Sequence, residues 1–320
     1  MNQNVKGKNQ KRNEYKRKKQ KKGKREIKNN IESSEDQELK ELNQIIDKAN
    51  QEYQEKYGLK TMRLETPEYN LEVGLESNIG RREYQQDVSL VSYDNKGGDT
   101  KAIAILCDGM GGMNNGEIAS NICVNQIFDA YRGREYIEDY NKFLIEEAIK
   151  ADEYVSSLTD NDGEPLNSGC TLIATIIENK QFYWVSVGDS RIYIIRDDEI
   201  AQVTTDHNYS LLLKEQVAKG ELTKEEAEHH PKKEALISYI GMCGLKLIDH
   251  NVKPLQLKQD DFVLLCSDGL YRSLDEESIK YIIRNNYNNV EMAAKLLVDT
   301  AVKNGSLYQD NTSVILIKCI

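Results

Sequence analysis

Four aspartates stand where apolar runs begin or end. In KAIAILCDGMGG and DFVLLCSDGLYR the run leads straight into Asp108-Gly109 and Asp268-Gly269, whereas in QQDVSLVSY and QDNTSVILIK Asp87 and Asp310 come just before it. Where neighbouring strands are antiparallel, the end of one lies beside the start of the next, so the four carboxylates can meet at one sheet edge. Taken singly, each reads as a turn or strand-start residue. Taken together, they repel one another unless cations lie between them or some are protonated. An all-oxygen set without His or Cys suits a hard divalent ion such as Mg2+ or Mn2+. Gly109 allows a backbone carbonyl to approach such an ion, and Gly111 and Gly112 keep the following loop close and open. No Gly-Lys-Ser/Thr follows GMGG, which argues against a nucleotide P-loop. Arg82, five residues before Asp87, offers a guanidinium able to grip two phosphate oxygens. Water acidified between two ions would attack phosphorus in line, so the constellation points to metal-dependent phosphoester hydrolysis.

Such a site needs strands to deliver it. Short β-rich runs begin near residue 70: NLEVGLES, DVSLVSYD, KAIAILCD, CTLIATIIE, QFYWVSVGD, RIYIIRD, IAQVTT, NVKPLQL, DFVLLCSD and NTSVILIKC. Many are joined by too few residues for a helical crossover, which predicts antiparallel sheets. Helical spacing falls near 116–131, 140–158, 208–219, 274–285 and 289–303, with a Ser273/Glu276 capping box before the fourth and Gly305 stopping the fifth. The pattern predicts an α+β domain with two sheets packed face to face and helices outside.

The 320 residues carry a net charge of -10, unevenly spread. The first 28 hold 13 Lys/Arg against Glu14 and Glu26, leaving 30 basic and 51 acidic residues, or -21, on the rest. Residues 1–33 read as a disordered basic tail, because like charges repel and there is little to bury. Two readings of it stand: an anchor to nucleic acid, ribosome or acidic lipid headgroups, or a solubilising tail. Residues 34–69 read as a helical linker, with Ser34 and Gln37 as a capping box and apolar positions at helical spacing as far as Tyr57. Six cysteines without a C-x-x-C, most of them in apolar runs, point to a reducing cytoplasm. The chain shows neither a membrane-length apolar run nor a secretory signal pattern.

From residue 71 to 320 the chain resembles the PPM/PP2C-type metal-dependent protein serine/threonine phosphatases, particularly their bacterial branch. The resemblance rests on RREYQQD, CDGMGG, NSGCTL, VGDSRIY, TTDHN, ALISYIG, CSDGLY and QDNTSVIL, in the family's order. It implies a four-layer α-β-β-α sandwich over 70–320, two central antiparallel sheets with flanking helices, and a cleft at one end holding two Mn2+ or Mg2+ ions. By the same resemblance Asp108 bridges both ions, Gly109 supplies a carbonyl ligand, and Asp268 and Asp310 ligate the first ion. Asp87 orients water from outside, and Asn311 shapes the loop beside Asp310. Arg82 is the phosphate-binding arginine, and Asp189, with Asp268, holds the weaker third ion of many members. Residues from about 207 to 240 match the variable flap. His229 and His230 there lack suitably spaced carboxylates and read as surface side chains. Phosphoprotein substrates, a cognate Ser/Thr kinase and a monomeric state are the corresponding expectations.

Two features depart from the usual pattern. Met110 stands where animal and plant members often carry a histidine proposed as general acid, and methionine has no proton to give. Gln85 and Gln86 replace the more usual Asn and Glu, removing one negative charge near the second ion. The competing reading is a catalytically weak homologue that uses the fold as a partner-binding scaffold. Such proteins typically lose metal aspartates, and every one is present here.

Overall fold

In the computed structural model, which describes residues 70–94, 100–110, 116–160 and 162–320, strand β3 (Lys101–Cys107) shows how the layers are built. Its alternate side chains serve two different cores. Ala102, Ala104 and Leu106 face Ile173, Trp184, Val263, Ile315 and Ile317 in a core between two sheets. Ile103, Ile105 and Cys107 face a helical layer through Cys123, Ile127, Phe143 and Leu144. A strand buried on both faces reads as an unbroken apolar run, which is why KAIAILC lacks polar alternation.

The first sheet has the order β1-β11-β10-β6-β7, using β1 (Leu71–Asn78), β6 (Arg191–Arg196), β7 (Glu199–Gln202), β10 (Phe262–Cys266) and β11 (Thr312–Cys319). The second runs β2-β3-β4-β5-β8, using β2 (Val88–Asp94), β3, β4 (Leu172–Glu178), β5 (Gln181–Val187) and β8 (Asp249–His250), with β9 (Leu255–Gln256) also on β5. Every pairing is antiparallel. Helices α1 (Gly116–Arg132) and α2 (Tyr140–Ser156) cover the second sheet. The segment after β7 carries α3 (Tyr209–Ala218) and α4 (Lys224–Glu228). A helical turn, α5 (Asp268–Tyr271), follows β10, and α6 (Glu276–Asn285) and α7 (Val290–Asn304) lie over the first sheet. The described residues therefore form the expected four-layer α-β-β-α sandwich.

Two local expectations are corrected. Ser273 does not cap α6: Asp275 does, accepting from Ser278 N at 2.8 Å, because the Ser273 hydroxyl is donated to Gln309 Oε1 at 2.6 Å. NVKPLQL is not one strand. Asn251 takes over part of the ladder with its side chain, accepting from Trp184 N at 3.1 Å and donating to Phe182 O at 2.9 Å. Pro254 has no N–H to offer, so only the two-residue β8 and β9 pair on either side. The basic tail, the linker helix and the Gly111-Gly112 loop lie outside the described residues.

Candidate metal centre

Strand register brings the aspartates together, though not on one sheet. Val88 pairs with Cys107 in the second sheet, so Asp87 and Asp108 lie side by side at the open end of β2 and β3. Cys266 pairs with Val314 in the first sheet, which places Asp268 and Asp310 at the corresponding end of β10 and β11. The expectation of one sheet edge is thus corrected: the two pairs belong to different sheets, and face-to-face packing brings them together. A direct link spans the layers, because Ser267 Oγ donates to Asp87 Oδ2 at 2.7 Å while accepting from Ser313 N at 3.0 Å. Asp189 enters from the segment that crosses between sheets after β5.

The backbone around Asp108 is held from several sides. Its N–H donates to Thr171 Oγ1 at 3.0 Å, its carbonyl accepts from Thr171 N at 2.9 Å, and Thr171 Oγ1 lies 2.8 Å from Ser190 Oγ, next to Asp189. Gly109 N donates to Gln86 O at 3.1 Å. A Cβ on Gly109 would fall 2.7 Å from Gln86 O and from the Gly116 carbonyl, so the segment leading into β2, the Asp108 turn and the start of α1 meet where only glycine fits. Asn311 shapes the opposite loop: its Oδ1 accepts from Gln86 N at 2.8 Å, and its Nδ2 donates to Ile79 O and Tyr84 O.

The charges are close enough to perturb one another. Burial, followed by neighbouring carboxylates, pushes Asp108 well above the usual carboxylate range. Burial likewise raises Asp87 and Asp189 to about 7 and Asp268 to about 6. Two arginines act as internal counter-ions. Arg82 Nη2 lies 2.5 Å from Asp310 Oδ2, and Arg272 reaches Asp268 at 3.0 Å, Asp189 at 3.5 Å and Glu234 of the 207–240 segment at 3.5 Å. Even so, Asp87 Oδ1 and Asp268 Oδ1 are buried without a hydrogen-bond partner among the described residues. Buried oxygens left in that state, in a set of hard donors, fit divalent cations.

All the aspartates singled out in the sequence converge here, with Arg82 and Gly109. Sequence reading missed Ser267, Thr171 and Arg272. Arg272 was the recoverable one, since it stands one helical turn after Asp268; the two hydroxyls carry no local signal. It also missed Asp152 on α2, which accepts from Gly241 N and Met242 N on one oxygen and from Gly244 N on the other, fixing the end of the 207–240 segment. His229 and His230 take part in local contacts, the first with Glu225 O and the second stacked on Tyr209.

Known proteins share this arrangement of sheets. The protein phosphatase 2C family model matches residues 71–213. The serine/threonine phosphatase stp of Listeria innocua is 33% identical over 235 residues, covering 71% of this chain and 87% of that protein. The Streptococcus agalactiae serine/threonine phosphatase structure superposes with a TM-score of 0.67 at 28% identity, covering 78% of this chain and 99% of that one. The catalytic domain of the serine/threonine protein phosphatase PstP, solved in complex with two manganese ions, has a TM-score of 0.62 at 24% identity, covering 79% of this chain and all of its own. With a relative this similar matched over most of its length, and with the carboxylates gathered at the end of the same sandwich, the chain belongs to the protein phosphatase 2C family of serine/threonine protein phosphatases.

Proposed function

We propose that the chain hydrolyses phosphoserine and phosphothreonine on proteins, using two divalent ions, Mn2+ or Mg2+, and that residues 70–320 are the phosphatase domain. The observation that carries this is the convergence of Asp87, Asp108, Asp189, Asp268 and Asp310 from both sheets, with two buried oxygens unpaired and Arg82 beside them. The manganese pair in PstP supports the choice of ion. Ions bound there supply Lewis-acid activation of water and offset charge on the phosphoryl oxygens.

The chain's own groups divide the work. On this reading Asp108, the Gly109 carbonyl, Asp268 and Asp310 would hold the two ions. Asp87, which accepts a hydrogen bond from Ser267, would orient water at the ions. Asp189 and Asp268 would hold a third ion, and Arg272 contacts both of them. Arg82, only half buried in its ion pair with Asp310, would leave that partner and grip the phosphate. Met110 cannot protonate the leaving alkoxide, so that proton comes from another group in the site. Six free cysteines fit a reducing, cytoplasmic setting, and phosphoprotein substrates would call for a Ser/Thr kinase that makes them. Hydrolysis of p-nitrophenyl phosphate and of phosphothreonine peptides with Mn2+ tests the reading. No turnover at any Mn2+ concentration, in folded protein, favours the partner-binding scaffold instead.

A further inference from the structure

Three of the cysteines, far apart in sequence, meet in space. Cys107 ends β3, Cys123 lies in α1 and Cys170 stands just before β4, yet their sulfurs all lie within 4.8 Å of one another. All three residues are fully buried. Ala119, Leu172, Val187 and Ile240 belong to the same apolar cluster. The backbone that presents them is fixed: Cys170 exchanges hydrogen bonds with Ile240 at 3.1 and 2.9 Å and also bridges to Gly109. A strand end, a helix and a bridge residue thus each contribute one soft donor to one point.

A single buried thiol behaves as a small hydrophobe. Three that face one another can also close on an ion. Metal–sulfur bonds of about 2.3 Å put three sulfurs about 4 Å apart around a trigonal centre, so the trio needs shifts below ~1 Å. Donor softness separates this cluster from its neighbour, since hard ions prefer the carboxylates and soft ions the sulfurs. The two sets stand back to back, because Cys107 precedes Asp108 and Cys170 precedes Thr171, which holds the Asp108 backbone.

We propose that Cys107, Cys123 and Cys170 form a thiolate site for one thiophilic ion of the Cu+, Zn2+ or Cd2+ class, distinct from the carboxylate centre and behind its Asp108-Gly109 turn. Each thiol that becomes a thiolate ligand releases its proton to solvent. With a divalent ion, two thiolates and one thiol leave the apolar pocket neutral, which avoids the cost of a buried net charge. The site is closed, so an ion enters through local opening and uptake is slow.

The test uses the full chain with Mg2+ in excess to occupy the carboxylates and cadmium added until the absorbance stops changing. The expected result is an ultraviolet thiolate-to-cadmium band that saturates at one ion per chain, three sulfur neighbours by X-ray absorption, and a raised thermal midpoint, because the folded chain gathers three sulfurs at one point and so binds the ion more tightly than the unfolded one. Cys170→Ser lowers the sulfur count to two or abolishes the band. Cys243→Ser, which removes the exposed thiol, leaves it unchanged. Fewer than three sulfurs on the unmodified chain, or a band that follows Cys243, overturns the proposal. The sulfur count decides even where Cys170→Ser fails to fold. Because no step of the test reads phosphate hydrolysis, its failure leaves the phosphatase reading untouched.

Discussion

Replacing Gly109 with alanine separates packing from metal ligation. The new Cβ would lie 2.7 Å from Gln86 O, Gly116 C and Gly116 O, about 0.7 Å inside ordinary contact, and all three are backbone atoms that cannot rotate away. Either the segment leading into β2 or the start of α1 must move. Overpacking of this kind costs about 1–3 kcal/mol. With a urea m-value of roughly 3 kcal/mol/M for a domain this size, the unfolding midpoint of chelator-treated protein should fall by ~0.3–1 M. The shift also displaces the Gly109 carbonyl, so Mn2+ affinity measured by calorimetry should fall with it. Gly133→Ala is the control: its nearest neighbour is Asp129 O at 3.2 Å, and its stability should change by less than about 0.5 kcal/mol. An unchanged midpoint in Gly109→Ala would refute the packing argument. A lowered midpoint with unchanged Mn2+ affinity would refute the carbonyl's role as ligand.

Asp108→Asn should abolish Mn2+-dependent turnover while leaving circular dichroism and the cooperative melt intact, since it removes charge from a crowded site; retained turnover would show that the centre lies elsewhere. Arg82→Ala should lower kcat/KM by about 10–100-fold, mostly through KM, the value of a charge-assisted hydrogen bond to phosphate, and an unchanged KM would sink that role. Metal-free protein should lose stability as pH rises from about 4 to about 7. The folded pKa values of Asp268 (about 6) and of Asp87 and Asp189 (about 7) lie above the ordinary 3.8, so the folded chain binds more protons than the unfolded one across that window. Saturating Mn2+ should suppress the fall, and denaturant titrations at several pH values that show metal-free stability rising there would contradict the clustering.

What could be read from sequence follows from how far each signal reaches along the chain. The run KAIAILCDG announces a doubly buried strand and its terminal Asp108 because every residue of the signal is local. That Asp87 lies beside Asp108 also followed, given an antiparallel partner. That Asp268 and Asp310 meet them from a second sheet did not follow, because the meeting depends on Leu106, Val263, Leu265 and Ile315 packing face to face. Ser267 and Thr171 were invisible because a hydroxyl on a strand end looks the same whether or not it holds a carboxylate. Ser273 misled for a related reason: its capping motif was genuine, but Gln309, distant in sequence, took the hydroxyl. The three-thiol cluster was hidden in the same way, by six cysteines whose spacing shows no motif.

The charge balance of the centre explains why an arginine should serve both Asp310 and a substrate. Five carboxylates facing Arg82 and Arg272 leave up to three uncompensated negative charges when all are ionised, and burial answers by raising several of their pKa values. Protonation and divalent binding are therefore alternative ways of meeting the same repulsion. Under the proposed function, two divalent ions more than offset the deficit. Asp310 then no longer depends on Arg82, whose guanidinium becomes free for a phosphate dianion. Arg272 is differently placed. It holds Asp189 and Asp268 at once and also touches Glu234, so releasing it would loosen the 207–240 segment as well as the carboxylates. The two arginines thus balance similar charge but differ in what their movement disturbs, and Arg82 is the one that can leave without unfastening a loop.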